Sequence, residues 1–351
     1  MKSLTQVVLL SVAMLLSASL AAGQIDNLYQ ADVAATAKVT DWQQDAFRQV
    51  LAKVSGREDI HQQPQIADEL SRAAGYVKQF EAVRSNDGNR MRVLLDAGKV
   101  NQLLQQNNIA VWGALRPDIL IWLVEQQGSE RQFVRQNSQQ FNQALQQAFT
   151  QTALPLLLPL YDIDDLLSLT ETDVWAGFWQ PVNQASARYN ADVVIAATIE
   201  QLPQDSGTSY RLSWQRNENG RILRDEVSAT DADTLMQTFA RKLAQQLAAS
   251  YATTLSETPA QFMLQVTGLT DLAAIVQVQK LLRQVVGVSG VTISAYHNGS
   301  ARYTLESGID AQGLLSALRF NPQLRMQQRP VAVELDATAV PVLATLEYTK
   351  L

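Results

Sequence analysis

The most continuous apolar run beyond the first residues of the chain is Ile119–Val124, which contains no polar position. Pro117 precedes it, and a proline suits the start of a strand because it cannot donate to the ladder. A strand without alternation is buried on both faces, as in layered α/β proteins. Since a membrane span needs about 20 residues, this run predicts a central buried strand.

Before this strand, residues 24–110 show helix and strand periods in the order β-α-α-β-β-α. The first helix carries apolar residues at helical spacing and ends at Gly56. Strands over residues 76–83 and 91–95 flank a hairpin turn at residues 86–89. The pattern predicts a small first module of mixed helix and strand.

Residues 111–255 alternate strands with helices, which is typical of an α/β layer. Within them, residues 187–199 predict a helix end, a tight turn and a buried strand. A second hairpin is expected around residues 217–220, and Asp231 begins a long amphipathic helix. We therefore expect a central α/β domain.

Residues 256–351 predict the order β-α-β-β-α-β, which is the ferredoxin-like pattern. Asp271 and Asp310 are expected to cap its two helices, and its late strands are expected over residues 331–335 and 342–348. Together the segments predict an α/β (α+β) protein of three small modules.

The first 23 residues have a charged start, an apolar middle and small residues at the end. They predict a secretory signal peptide cleaved near Ala21–Gln24, and therefore a periplasmic location. A membrane anchor is the alternative, but the run is short for that role. No later segment is long and apolar enough to cross a membrane, so no stable span is expected after cleavage.

Composition narrows the chemistry further. The chain has no cysteine, which excludes disulfides, thiol catalysis and Cys-bound metals. A formal charge of −6 argues against nucleic acid as a partner. His61 and His297 fall in different predicted modules, and no metal-binding or phosphate-binding motif contains them. We expect no cofactor and no metal.

One acidic stretch is a candidate for hydrolytic or divalent-metal chemistry. Its carboxylates are Asp162, Asp164, Asp165, Glu171 and Asp173. Paired carboxylates can act as acid and base or hold a divalent cation. The stretch lacks the glycine turn and trailing glutamate of an EF-hand loop. Carboxylates at a helix start are also favoured by the helix dipole, which is the interpretation we prefer.

The candidate binding residues are Trp112 and Arg116, before the central strand, and Trp175 and Trp179, on an aromatic helix face. All four could contact a partner or a sugar. The alternative is packing, with Trp112 between two modules, Arg116 paired with a local carboxylate and the other two tryptophans under the sheet. Packing is the more common role at such positions, and the exposure of these side chains decides between the two.

Several motifs carry a resemblance to a known family. They are Val54-Ser55-Gly56, Val111-Trp112-Gly113, Arg116-Pro117 and Leu120–Leu123. With them the chain resembles the bacterial domain-of-unknown-function family 2066, an exported family without an assigned activity. Residues 187–199 are also similar to the matching point in the TolB amino-terminal domain, in CsgG and in the lipoprotein activators of peptidoglycan synthases. Those are binding modules, so the resemblance implies no catalytic residues.

These observations favour a non-catalytic accessory or interaction protein of the bacterial cell envelope, located in the periplasm. Its expected partner is an envelope protein or a peptidoglycan-associated one. Two alternatives stay open. The first is a periplasmic protein that binds a small ligand or glycan in a cleft near Trp112, and the second is a hydrolase that uses the carboxylates of residues 162–173.

Overall fold

A computed structural model describes residues 25–36, 38–85, 88–135, 139–204, 207–218, 220–327 and 341–350. They form a mixed α/β molecule with three sheets, which confirms the predicted α+β class with several modules. The predicted signal peptide, residues 86–87 of the first hairpin turn and the predicted strand over residues 331–335 lie outside the described residues. Among the described helices, none is long and apolar enough to span a bilayer.

The first sheet is antiparallel and has the order β1-β3-β2. Its strands are β1 (Gln30–Ala34), β2 (Val77–Ser85) and β3 (Gly88–Leu95). The helices of this module are α1 (Val39–Ser55), α2 (Pro64–Leu70) and α3 (Ala97–Gln106), with 3-10 turns at Glu58–Gln62 and Ala73–Tyr76. From Trp42 to Val54, apolar residues of α1 recur at helical spacing and are buried against the sheet, whereas Val39 at its start is exposed.

The central sheet has the order β5-β4-β7-β8-β9, with the two-residue β6 also pairing with β4. Its strands are β4 (Ile119–Gln127), β5 (Glu130–Phe133), β6 (Leu156–Leu157), β7 (Val193–Gln204), β8 (Gly207–Glu218) and β9 (Arg221–Ala229). The ladders from β4 to β6 and β7 are parallel, and the others are antiparallel.

Helices cover β4 on both faces, as its unbroken apolar pattern predicts. One layer consists of α4 (Gln139–Thr152) and α8 (Ala232–Tyr251). On the opposite face, α6 (Glu171–Ala176) and α7 (Trp179–Ser186) contribute the core residues, and α5 (Ile163–Ser168) contacts α7. Ile119, Ile121 and Leu123 belong to the first of these cores. Their neighbours on the strand, Leu120, Trp122 and Val124, belong to the second.

The third sheet has the order β11-β12-β10-β14-β13. Its strands are β10 (Ala260–Thr267), β11 (Val288–His297), β12 (Ser300–Ser307), β13 (Leu324–Met326) and β14 (Val342–Tyr348). Two helices, α9 (Leu272–Arg283) and α10 (Ala311–Arg319), contribute buried residues to its core. The Asp271 and Asp310 side chains cap these helices as predicted, by accepting from the backbone N–H groups of Ala274 and Gly313.

The ferredoxin-like prediction is correct for β-α-β-β-α but not for the last strand. A ferredoxin-like sheet is antiparallel throughout, whereas β14 runs parallel to β10. The connection through α10 returns the chain parallel to β12, and the short edge strand β13 takes that direction. The chain then reverses once more, because β14 pairs antiparallel with β13 and lies between it and β10.

The segment before β4 joins all three cores. Val111 belongs to the core of the first sheet, Trp112 to that of the central sheet and Leu115 to that of the third. Val111 also pairs with Thr253 through two backbone hydrogen bonds of 2.8 and 3.0 Å. The two points at which modules were expected to join, near residues 110 and 255, therefore lie side by side.

Candidate functional site

The four predicted binding residues lie in two separate places. Trp112 and Arg116 are 1% and 0% exposed, at the junction of the three cores. Trp175 on α6 and Trp179 on α7 are half-buried on the face of the central sheet that α4 does not cover. The structure therefore does not gather the four side chains into one site.

Arg116 connects parts of the interior that are distant in sequence. Its guanidinium donates hydrogen bonds of 2.6–3.2 Å to the backbone carbonyls of Gly113, Trp112, Lys53, Thr152 and Ala153. Lys53 and Thr152 lie in the last turns of α1 and α4, so the cation sits at the negative ends of two helix dipoles. The expected pairing with a local carboxylate is therefore wrong, because these acceptors are all backbone oxygens.

Trp112 packs against this cation, with its ring centre 4.0 Å from the guanidinium carbon of Arg116. Burial lowers the pKa of Arg116 to about 9, which leaves it charged at neutral pH. The cavity beside Trp112 has a volume of about 10 Å³, too small for a sugar. The packing interpretation therefore fits Trp112, and the cavity beside it has no room for the small ligand of the alternative hypothesis.

Trp175 lies on the wall of an open groove of about 610 Å³ over the central sheet. Its ring stacks on Arg131, whose guanidinium carbon is 4.2 Å from the ring centre. Thr198 and Ser213 offer hydroxyl groups in the groove, and Arg224 of β9 adds a charge. A half-exposed aromatic ring beside hydroxyl and charged groups can hold a polar ring such as a sugar.

Trp179 is engaged in packing beside the same groove. Its indole N–H donates to the Gln215 side-chain oxygen at 3.3 Å, and its ring packs against the core between the central sheet and α7. Of the four predicted residues, Trp175 thus lines an open space of ligand size.

The acidic stretch is built into the local backbone. Asp162 caps α5 by accepting from the N–H of Asp165 at 3.1 Å. Asp165 is 1% exposed, and its carboxylate accepts from the Tyr161 N–H at 2.8 Å and the Tyr189 hydroxyl at 2.5 Å. Asp173 forms a capping box with Thr170 at the start of α6. These contacts support the structural interpretation of these three carboxylates.

Arg188 adds a positive charge to this cluster, with its guanidinium 2.8 Å from Asp162 and 3.4 Å from Asp165. Its hydrogen bond lowers the pKa of Asp162. Burial and the bond to Asp165 raise the pKa of Tyr189 to about 12. Across the described residues, no group of three or more histidine or acidic side chains is placed to hold a metal ion.

Two clefts, of about 300 and 780 Å³, adjoin α1 and α4, and both are lined by Gln49, Lys53 and Gln151. The Lys53 ammonium donates to the Gln30 carbonyl at 2.9 Å, and burial lowers its pKa to about 8. The Gln49 side-chain oxygen is buried and has no hydrogen-bond partner among the residues that the structure describes. Sequence reasoning missed these clefts because their lining comes from segments far apart in the chain.

Exposed apolar side chains mark another feature that sequence reasoning missed. Leu160, Ile163 and Leu167 are 65%, 76% and 82% exposed on and just before α5, and we call them the α5 surface. The available signal was the alternation of apolar and acidic residues over positions 160–167. A helix start also accounts for that alternation, so the sequence alone does not reveal the exposed surface.

Comparison with known proteins gives one match. Residues 22–113, which hold the first module and the start of the junction, match the model of a family described as a domain of unknown function, DUF8605. The model of family 2066 does not match, so the identification of the chain with that family is wrong. No curated protein and no solved structure matches the chain.

Proposed function

We propose that this protein is a non-catalytic interaction protein of the bacterial cell envelope that acts in the periplasm. The observation that carries the proposal is the α5 surface. Three large apolar side chains close together in sequence are mostly exposed there, and exposed apolar patches mark sites of protein–protein contact. The partner that this chemistry fits is an envelope protein or a peptidoglycan-associated protein with an apolar surface.

The carboxylates of Asp162 and Asp165 support this proposal because they hold the backbone of the α5 surface in one conformation. The Asp165 carboxylate accepts hydrogen bonds from the backbone N–H of Tyr161, next to Leu160, and from the hydroxyl of Tyr189. The Asp162 cap holds the first turn of α5, which presents Ile163. Carboxylates that keep an apolar surface in one conformation reduce the conformational entropy that is lost when a partner binds.

The proposal is tested by replacing the apolar groups without disturbing the fold. The double variant Ile163→Ser/Leu167→Ser is expected to keep the melting temperature of the wild type, because both side chains are mostly exposed. A photo-crosslinking amino acid at position 167 is expected to capture one defined envelope protein in living cells, and Ile163→Ser should weaken that capture at least tenfold.

Val39→Ser is the matched control, since Val39 is 57% exposed and lies outside the α5 surface. It should leave the capture unchanged. A crosslinker at position 167 that yields no product, or a product insensitive to Ile163→Ser, would rule out the α5 surface as the contact site.

A second candidate function is the binding of a small polar ligand or glycan, which the groove at Trp175 favours. Stacking between Trp175 and a sugar ring would replace or extend the contact with Arg131. Soluble peptidoglycan fragments are the probe, with binding measured by calorimetry. Trp175→Ala should abolish binding, and the exposed Phe178→Ala should not. No heat of binding from the wild type would exclude this function for that probe.

A further inference from the structure

The edge strand β11 lacks the protection that other edge strands of this molecule have. None of the residues in Val288–His297 is charged. The end strands β1, β2, β5, β9 and β13 all carry charges, and β13 is also short. Proteins usually protect exposed edges with charges or short strands, because an open edge pairs with other strands.

The register of β11 against β12 shifts at two points, between Val288 and Gly290 and between Ile293 and Ala295. Such irregularities twist an edge and offer some protection. The stretch between them, Val291–Ile293, pairs regularly with β12 and is uncharged. No described strand pairs with the outer side of the ten-residue β11, although its Val291 carbonyl accepts from side chains of α9.

One stripe of α9 runs along this edge. Leu272, Val276, Gln279 and Arg283 are spaced to lie on one helix face. Gln279 and Arg283 donate to the carbonyl of Val291 at 2.9 and 3.4 Å, which places the stripe beside β11. The other two members of the stripe, Leu272 and Val276, are 74% and 57% exposed.

The edge strand adds apolar groups on the same side of the sheet. Ile293 and Tyr296 pair with Tyr303 and Ala301, whose buried side chains face the core beneath α9. Ile293 and Tyr296 therefore project towards the helix side, yet they are 41% and 52% exposed. We call Leu272, Val276, Ile293 and Tyr296 the α9–β11 surface.

The two ends of α9 carry opposite charges. Asp271 caps the start of α9, and Lys280 and Arg283 lie in its last turn. A copy of the surface turned by a two-fold axis near Val276 and Ile293 would bring Asp271 of each chain towards the basic end of the other. It would also align the two helix dipoles antiparallel, which is favourable.

We propose that this face is a homodimer interface in which two β11 strands pair antiparallel and two α9 helices pack together. Two-fold contacts must be self-complementary, and this surface meets that condition with a neutral edge, an apolar centre and opposite charges at its ends. The proposal is independent of the proposed function, because the α5 surface lies on the central domain.

Because the chain has no native cysteine, a single cysteine introduced on β11 tests the proposed interface directly. Ser294→Cys and Thr292→Cys each place one thiol near the expected two-fold axis on β11, at exposed positions. Under a mild oxidant, at least one of them is expected to form a disulfide-linked dimer in high yield. Ser228→Cys is the matched control, because Ser228 is an exposed serine on the end strand β9, and it should stay monomeric.

Sedimentation equilibrium provides the second measurement. The wild type is expected to have twice the mass of one chain at micromolar concentrations, and Ile293→Lys should shift it to monomer with an unchanged melting temperature. Ile163→Lys, on the α5 surface, should remain dimeric. A wild type that is monomeric up to about 100 μM, or a dimer that Ile293→Lys leaves intact, would overturn the proposal.

Discussion

Arg116 shows how a single side chain can hold distant segments together. Its acceptors are carbonyls at residues 53, 112, 113, 152 and 153, and they are all backbone oxygens. The sequence marks Arg116 as unusual because Pro117 and a buried strand follow it. It cannot show the acceptors, because the ends of α1 and α4 reach Arg116 only in the folded molecule.

Replacing Arg116 should therefore be costly. Arg116→Met removes the charge and leaves buried carbonyls without donors, and we expect a loss of about 3–5 kcal/mol in the free energy of unfolding, measured by urea denaturation. Arg116→Lys keeps the charge with fewer directed donors, so its loss should be smaller. Arg57→Met is the control, because Arg57 makes an exposed ion pair with Asp59 worth less than about 1 kcal/mol. Similar losses for Arg57→Met and Arg116→Met would contradict this account.

Lys53 should make stability depend on pH. Its pKa is about 8 in the folded protein against an ordinary value of 10.5, so the unfolded chain binds the proton more tightly. Below about pH 8 the buried Lys53 side chain is charged in the folded protein, and its burial then lowers the free energy of unfolding by the full amount. The wild type regains this stability as the pH rises towards about 10.5.

Relative to Lys53→Met, the wild type should therefore become more stable between pH 8 and pH 10, by at most about 3 kcal/mol. Thermal unfolding of both proteins across this range measures the difference. A stability difference that does not change with pH would show that the Lys53 ammonium is not affected by burial.

At the scale of elements, periodicity predicted most of the helices and strands correctly. The unbroken apolar run of β4 implied burial on both faces, and its alternate residues do enter two different cores. The direction of β14 was missed, because local pattern determines that a strand forms but not which neighbour it pairs with. That choice depends on the reversal after β13 and on the space left beside β10.

The end of α1 illustrates a close approach between elements. Gly56 has φ +68°, and a Cβ atom there would lie 2.1 Å from the Cβ of Ala248 on α8. Gly56→Ala should lower the free energy of unfolding by about 2–4 kcal/mol, because the left-handed conformation and the overpacking against α8 both oppose a side chain there. Gly220→Ala separates the two effects, because Gly220 has φ +85° and the described residues leave open space around it. This variant should lower the free energy of unfolding by about 1–2 kcal/mol. Equal losses in chemical denaturation would show that the contact with α8 is unimportant.

At the scale of the whole molecule, the segment from Val111 to Leu115 makes the three modules interdependent. Neighbouring residues of one short loop belong to three cores, so a change at Trp112 should affect the first and central modules together. Trp112→Ala is expected to lower the single melting transition by several degrees and not to split it into two. Two separate calorimetric transitions in the variant or in the wild type would indicate independent modules.

The predicted export of the chain is tested at the same scale. Mass spectrometry of the protein purified from its own cells should find a new amino terminus near Ala21–Gln24, in the periplasmic fraction. A chain that retains Met1 and fractionates with the cytosol would contradict both the predicted leader and the proposed place of action.

Local periodicity and nearby backbone groups are enough to specify the α+β class, the positions of most elements, the caps at Asp271 and Asp310 and the burial of β4. The packing of the whole chain places Trp112 and Arg116 in the interior, puts Trp175 beside a groove and leaves apolar groups exposed on α5 and along β11. Those properties depend on which distant segments meet, and side-chain identity alone does not specify whether an apolar residue is covered or left open.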